Sequence, residues 1–167
     1  MSAINKEPTG DGDIRAGKYL TLILAGEEYG LPILKVQEII GMMPITRVPR
    51  MPEFVRGVIN LRGKVIQVID LRLKFGIESR TDTETSCIIV VQVKGSGEQS
   101  ITLGISVDEV SEVLNIASDQ IVDIPALGAG IDSGFMLGMG KVGDKVIMLL
   151  DLDRTFTDII TASGSIT

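Results

Sequence analysis

The sequence predicts a mainly β fold of two small, similar barrels with about five strands each and a few short helices. Short apolar runs rich in Val and Ile alternate with glycine-containing turns, as expected for β-hairpins. A pattern of about 75–80 residues occurs twice. Of the 167 residues, 44% are apolar but only 4% are aromatic, which predicts an aliphatic core in one domain or two subdomains.

The first copy begins with a hairpin that follows an N-terminal arm. Residues 1–17 contain few apolar side chains, so we expect this arm to be mobile. Strands are predicted over Tyr19–Leu24 and Tyr29–Leu31. Apolar residues then recur at helical spacing over residues 33–40, which predicts a short helix that ends at Gly41.

A second hairpin completes the first copy. After a short predicted strand over residues 45–47, the runs Val58–Leu61 and Val65–Ile69 flank the turn Arg62-Gly63. Asp70 follows directly and predicts the N-cap of one helical turn. The turn needs its glycine for the backbone but does not need an arginine. Arg62 is therefore the first candidate functional residue.

The second copy follows a polar connection over residues 77–85. Its predicted elements are strands Cys87–Val93 and Ile101–Ser106, a short helix Val107–Leu114, a strand Ile121–Ile124, a Gly-rich loop Pro125–Ser133, and a hairpin of Phe135–Lys141 with Lys145–Leu150. Asp151 predicts a second capped helical turn. Residues 159–167 are expected to form a polar tail.

The two copies share several residues at equivalent positions. Lys64–Leu71 falls on Lys145–Leu152 at an offset of 81, so the strand and its capping aspartate recur. Glu38 recurs as Glu112 at an offset of 74. The arginine of the first turn has no counterpart in the second turn. We interpret Arg62 as a recognition residue, because the repeated barrel does not require it.

The repeat also predicts the domain boundaries. We expect one domain over residues 18–158, with the first barrel over about 18–76 and the second over about 86–158. Each copy alone is near the size at which one core is marginally stable. The barrels should therefore pack together and leave a groove between them. Closure of each sheet into a barrel should also remove exposed strand edges.

Composition and charge exclude several classes of function. The net charge is −6, and residues 1–80 have 12 basic and 9 acidic side chains, whereas residues 81–167 have 4 and 13. This acidity, with no Trp, argues against nucleic-acid binding. A basic and an acidic half could serve two protein partners, or the charges could be scattered solvated groups. The absence of histidine excludes His-based catalysis and metal sites.

We find no catalytic constellation and expect no cofactor or metal. Asp70 and Asp151 are equivalent in the repeat, as in an aspartic-protease dyad, but each ends an apolar strand and fits an N-cap better. Residues 134–143 lack the spacing of a phosphate-binding loop. Lone Cys87 is expected to be a buried thiol, and no run approaches the ~20 apolar residues of a membrane helix, which suggests a cytoplasmic location.

Two segments resemble a known family. They read VPRMPEFVRGVINLRGKVIQVIDLRLKFG and EEYGLPILKVQEII, and they are similar to the CheW family of bacterial chemotaxis coupling proteins. The resemblance runs from about Tyr19 to Asp158. Gln67 departs from the family, which usually has proline there, and this change affects no binding residue. The resemblance implies two intertwined five-stranded SH3-like barrels.

The resemblance also implies a non-enzymatic adaptor. Such proteins bridge the cytoplasmic tips of methyl-accepting chemoreceptors to the regulatory domain of the histidine kinase CheA, in membrane-associated arrays and without membrane insertion. The implied receptor contacts are Ile33, Val36, Glu38, Gly57, Arg62, Cys87, Ile88, Val110 and Val113. The implied kinase contacts are Gly41, Met42 and Met43, although the two methionines could equally fill the core. A regulatory module of another two-component pathway and a ligand-binding barrel are the alternatives.

Overall fold

The computed structural model describes residues 13–95, 100–124 and 133–159. The strands in these ranges are β1 (Gly17–Leu24), β2 (Glu27–Pro32), β3 (Val36–Gly41), β4 (Val55–Leu61), β5 (Lys64–Asp70), β6 (Cys87–Lys94), β7 (Ser100–Val107), β8 (Glu109–Ile116), β9 (Ile121–Val122), β10 (Met136–Val142) and β11 (Lys145–Leu150). Two short helices, α1 (Leu71–Lys74) and α2 (Leu152–Thr155), follow β5 and β11.

The strands form two sheets, each of which curls into a small barrel. Barrel A has the strand order β8-β1-β2-β11-β10-β9, and barrel B has the order β3-β6-β7-β5-β4. Each barrel takes the first two strands of one copy and the later strands of the other copy. Two parallel pairs, β2 with β11 and β5 with β7, join the copies. The predicted mainly β fold of two intertwined barrels is confirmed.

The predicted division of the barrels along the chain is wrong. Strands from residues 18–76 and from residues 86–158 contribute to both sheets, because the copies exchange strands reciprocally.

At the C-terminal end, Ile159 was expected in the polar tail but is buried in the core, with 6% of its surface exposed. The predicted arm is described only from Asp13, where Arg15 donates hydrogen bonds that lower the pKa of Asp13 to about 2.

Two segments predicted as helices are strands. The segment after Ile33–Lys35, a single 3-10 turn, continues as β3, and the predicted helix over Val107–Leu114 is largely β8. In β3 partly buried and exposed residues alternate strictly, which is the period of a strand. Both strands pair along barrel edges, β3 with β6 and β8 with β1.

The remaining predicted elements are mostly present. The hairpins β1–β2, β4–β5, β6–β7 and β10–β11 all form, and the side chains of Asp70 and Asp151 each accept a backbone hydrogen bond at the start of a helix. The strand predicted at 45–47 is reduced to one bridge between Thr46 and Val58, and that at 121–124 to two residues. Most of the predicted loop Pro125–Ser133 and the β6–β7 turn lie outside the described residues.

The apolar residues form three clusters that explain why the barrels stay together. One small cluster fills barrel A around Ile147 and Leu149, and another fills barrel B around Ile66 and Val68. The largest cluster joins residues of both barrels, with Phe156 fully buried within it. The contact between the barrels is therefore the main hydrophobic core, and the barrels depend on each other for stability.

Ion pairs join the helical turns to the points where the chain passes from one barrel to the other. Arg72 of α1 donates two hydrogen bonds of 2.8 Å to Asp108, between β7 and β8. Lys35, between β2 and β3, donates to Asp153 of α2 at 2.9 and 3.0 Å. Arg72 and Asp153 are 81 positions apart, which is the offset between β5 and β11, so they are equivalent in the repeat. The helical turn of each copy therefore forms an ion pair, with the cation on α1 and the anion on α2.

Candidate functional site

The candidate site is centred on an ion pair at one end of barrel B. Glu38 lies in β3, and Arg62 lies in the turn between β4 and β5. The Nη2 atom of Arg62 donates a hydrogen bond to Oε2 of Glu38. The Arg62 side chain is 68% exposed and that of Glu38 is 33% exposed. The sequence predicted both residues for one site, and the structure brings them together.

The backbone of the turn holds Arg62 in an uncommon conformation. Arg62 has a φ of 52° and Gly63 a φ of 88°, and the side chain of Asn60 accepts a hydrogen bond of 2.8 Å from the Gly63 N–H. Positive φ at both central residues is typical of a tight hairpin turn, which favours Asn and Gly at these positions. The second copy places Gly143 at positive φ in its turn. The first copy instead has an arginine where glycine would be less strained.

Four of the predicted receptor contacts are apolar and at least partly exposed. Ile33, Val36 and Val110 are partly buried, and all three pack against the cluster shared by the barrels. Val113 of β8 is more open, with 51% of its surface exposed. These four residues come from both copies, as expected for a surface between barrels.

Three of the predicted receptor contacts are buried in the unbound chain. Ile88 is fully buried in the core of barrel B, and Cys87 is 9% exposed. Gly57 is also buried, and a Cβ atom added to it would lie 2.1 Å from the carbonyl oxygen of Thr46. These residues shape the surface from beneath: Cys87 and Ile88 pair with the end of β3, and Gly57 permits a bulge in β4.

The residues predicted to contact the kinase lie at the end of β3 and just after it. Gly41 is exposed, and nothing lies within 4 Å of the position that its Cβ would take. Met42 and Met43 are partly buried and pack against the core of barrel B. The methionines therefore both fill the core and contribute to the surface, which are the two roles left open by the sequence.

Barrel A has a weaker counterpart of the Glu38–Arg62 pair. The Nζ atom of Lys145 lies 3.6 Å from Glu112 and 3.4 Å from Glu28. Glu112 is the repeat equivalent of Glu38, but its cation comes from the strand that follows the turn. The second copy thus keeps an acidic group at this position without the strained arginine, as the repeat predicted.

The ion pair between Arg72 and Asp108 was not predicted from the sequence. Its side chains are 12% and 11% exposed, and Asp108 also accepts a hydrogen bond of 2.9 Å from the Ala25 N–H. Burial opposes ionisation of Asp108, but the hydrogen bonds from Arg72 and Ala25 outweigh it and lower the pKa. In the sequence, the one signal for this pair is that Arg72 and Asp108 are charged residues in otherwise apolar segments.

The described residues show no candidate metal centre and no activated thiol. No group of three or more acidic or Cys side chains among them is arranged to hold a metal ion. Burial raises the pKa of the Cys87 thiol, although a hydrogen bond with the Val110 backbone opposes this shift, so the thiol is not an activated nucleophile. No helix within the described ranges is long and apolar enough to cross a membrane.

Comparison with known proteins identifies the family. The CheW-like domain family matches residues 18–159. A chemotaxis protein CheW of Klebsiella aerogenes is 36% identical over 143 residues, which cover 86% of this chain and 83% of the relative. One from Rhizobium meliloti is 33% identical and covers 84% and 88%. The crystal structure of the scaffolding protein TtCheW from Thermoanaerobacter tengcongensis has a TM-score of 0.73 and 40% identity, covering 84% of this chain and 92% of that one.

The chain belongs to the CheW-like family. Its function is that of a chemotaxis coupling adaptor, and it is not an enzyme. This result agrees with the resemblance seen in the sequence.

Proposed function

We propose that this chain couples the cytoplasmic tips of chemoreceptors to the histidine kinase CheA. The observation that supports this most directly is the pairing of Glu38 with Arg62, on a strained and exposed turn. A strained conformation is retained where the surrounding structure or the function requires it. The second copy forms its turn without an arginine, which supports a role for Arg62 outside the fold.

The receptor surface in this proposal consists of six accessible residues. They are Ile33, Val36, Glu38, Arg62, Val110 and Val113. A helical receptor tip would place apolar side chains against the aliphatic members, in the helix-in-groove mode. Glu38 and Arg62 would orient the helix through their free hydrogen-bonding capacity. Buried Gly57, Cys87 and Ile88 would support this surface without contacting the receptor.

The kinase surface in this proposal is the region of Gly41, Met42 and Met43, which would meet the regulatory domain of CheA. Methionine side chains adapt to different partners because they are unbranched and polarizable. The two proposed surfaces would let one molecule contact both partners in the cytoplasm. Weak single contacts would be reinforced by the many copies of a membrane-associated receptor array.

A pull-down with purified partners tests this proposal. The wild-type chain should retain both a chemoreceptor cytoplasmic fragment and CheA. Arg62→Ala should weaken retention of the receptor fragment, leave CheA bound, and preserve the circular dichroism spectrum. Arg154→Ala is the matched control, because this exposed arginine lies on α2. Retention of neither partner by the wild type would overturn the adaptor proposal, and unfolding of Arg62→Ala would show that Arg62 is structural.

A further inference from the structure

A basic pocket lies in the loop that leads into β4. A cavity of about 480 Å³ is lined by residues 47–53 together with Val55 and Arg56. An adjoining cavity of about 360 Å³ shares four of these residues and adds Arg80, among others. The proposed receptor and kinase surfaces do not include this loop. We refer to residues 47–56 with Arg80 as the arginine pocket.

The charge of the arginine pocket contrasts with the acidity of the chain. The arginines that line it are Arg47, Arg50, Arg56 and Arg80. Arg56 is paired with Asp82 through hydrogen bonds of 2.9 and 3.1 Å. Arg47 and Arg50 are exposed and make no ion pair or hydrogen bond with any residue that the structure describes. Two guanidinium groups are therefore available to a ligand, in a chain whose net charge is −6.

The loop is preorganised to present these two arginines. Pro49 and Pro52 restrict the backbone on either side of Arg50, which has a φ of 63°. The N–H of Val55 donates a hydrogen bond of 2.9 Å to the carbonyl oxygen of Pro52 and closes the turn. Preorganisation lowers the entropy lost when a ligand binds. The strained arginine resembles Arg62 in this respect, although it lies in a different loop.

The lining of the pocket is apolar between the arginines. Val48 and Met51 are each 38% exposed, and both line the larger cavity beside the two prolines. Glu53 is the acidic residue of this cavity, so its three arginines leave an excess of positive charge. A site that combines two unpaired arginines with exposed apolar side chains fits a ligand that has both carboxylates and an apolar group.

We propose that the arginine pocket binds an acidic segment of a partner protein that also carries an aliphatic side chain. Guanidinium groups bind carboxylates through two parallel hydrogen bonds, and the aliphatic side chain would lie between Val48 and Met51. A small free oxyanion would leave the side chains of Val48 and Met51 exposed to water. Anions of that kind are usually held by convergent backbone N–H groups. Nucleic acid is a poorer fit, because the whole chain is acidic.

The arginine pocket is remote from the Glu38–Arg62 site. The strand β4 has seven residues and runs from Val55, at the pocket, to Leu61, next to Arg62. At a rise of 3.2–3.4 Å per residue, the two ends of such a strand are about 20 Å apart. An acidic segment could thus bind while the proposed receptor surface is occupied, and the proposal does not depend on the assignment of that surface.

Binding of a synthetic peptide tests the proposal. The probe is a fluorescein-labelled peptide of ten residues, with glutamates on both sides of a central pair of leucines. Fluorescence anisotropy should show saturable binding to the full chain that weakens as salt is raised. Amide NMR shifts on titration should be concentrated at residues 47–56 and at Arg80. The double substitution Arg47→Gln and Arg50→Gln should weaken binding at least tenfold.

The controls separate this ligand from the alternatives. Arg154→Gln removes an exposed charge elsewhere and should leave the affinity unchanged. A peptide with glutamine for glutamate, and one with serine for leucine, should each bind at least tenfold more weakly. Equal binding of the serine peptide, or full displacement by millimolar inorganic phosphate at constant ionic strength, would assign the pocket to a simple oxyanion and overturn the proposal. Shifts centred on Arg62, or no saturable binding, would also overturn it.

Discussion

Replacement of Arg72 by methionine should destabilise the fold strongly. The change removes two charge-assisted hydrogen bonds of 2.8 Å and leaves the Asp108 carboxylate, 11% exposed, with the Ala25 N–H and with Arg80 at 3.6 Å. Loss of one partner from a buried ion pair costs about 3–5 kcal/mol. For a domain of this size, that corresponds to a fall in melting temperature of about 6–20 °C.

Lys35→Met is the matched comparison, because it removes the cation of the other ion pair that joins a helical turn to a passage between the barrels. Lys35 and Asp153 are 27% and 35% exposed, so solvent screens them, and the loss should be about 1 kcal/mol or less. Urea unfolding followed by far-ultraviolet circular dichroism measures both changes. Equal losses of less than 1 kcal/mol for both variants would refute the argument from burial.

The remaining predictions concern backbone geometry, pH and capping. Gly57→Ala should cost about 3 kcal/mol in urea unfolding, because its Cβ would lie 2.1 Å from a backbone oxygen, whereas Gly41→Ala, with open space around it, should be nearly neutral. The pKa of Asp108 is lower in the folded chain than in the unfolded chain, so its pair with Arg72 stabilises the fold above about pH 4 and loses this effect as the pH falls further. Stability measured from pH 3 to 6 should show this dependence. The double substitution Arg72→Met and Asp108→Leu should reduce it. Asp151→Ala removes a capping hydrogen bond of 3.1 Å and should lower the melting temperature by the equivalent of about 1 kcal/mol.

The local signals in the sequence predicted the hairpins correctly. Tight turns between β-branched runs, and an aspartate directly after a strand, depend on nearby residues, so Asp70 and Asp151 were recognisable as N-caps. Arg62 was recognisable for another reason: the second copy showed which residues the barrel itself needs. Comparison of the copies therefore separated a candidate functional residue from the structural framework.

The two wrong helices show the limit of periodicity in short segments. In β3 the residues Val36, Ile39 and Ile40 fit a helical spacing, but they are β-branched and lie in a strand of six residues. A run of this length does not distinguish the two periods, and pairing with β6 decides the outcome. The same applies to β8, which pairs with β1 across more than 80 residues of sequence.

The exchange of strands between the copies could not be predicted from the repeat. Two identical patterns can pair within each copy or between copies, and the sequence does not distinguish these arrangements. The pairing of β5 with β7 and of β2 with β11 is a tertiary property. The buried pair of Arg72 with Asp108 depends on this exchange, because it joins α1 to the passage between β7 and β8, so it also escaped prediction.

In the proposed function, the turn containing Arg62 transmits receptor state to a kinase that the chain binds elsewhere. The most direct measurement is the autophosphorylation rate of CheA, reconstituted with a chemoreceptor cytoplasmic fragment and this chain. The wild type should change the rate only when the receptor fragment is present, and Arg62→Ala should lose this effect while it still binds CheA. A wild-type chain without effect on the kinase, or an Arg62→Ala variant that couples as well as the wild type, would contradict the claim.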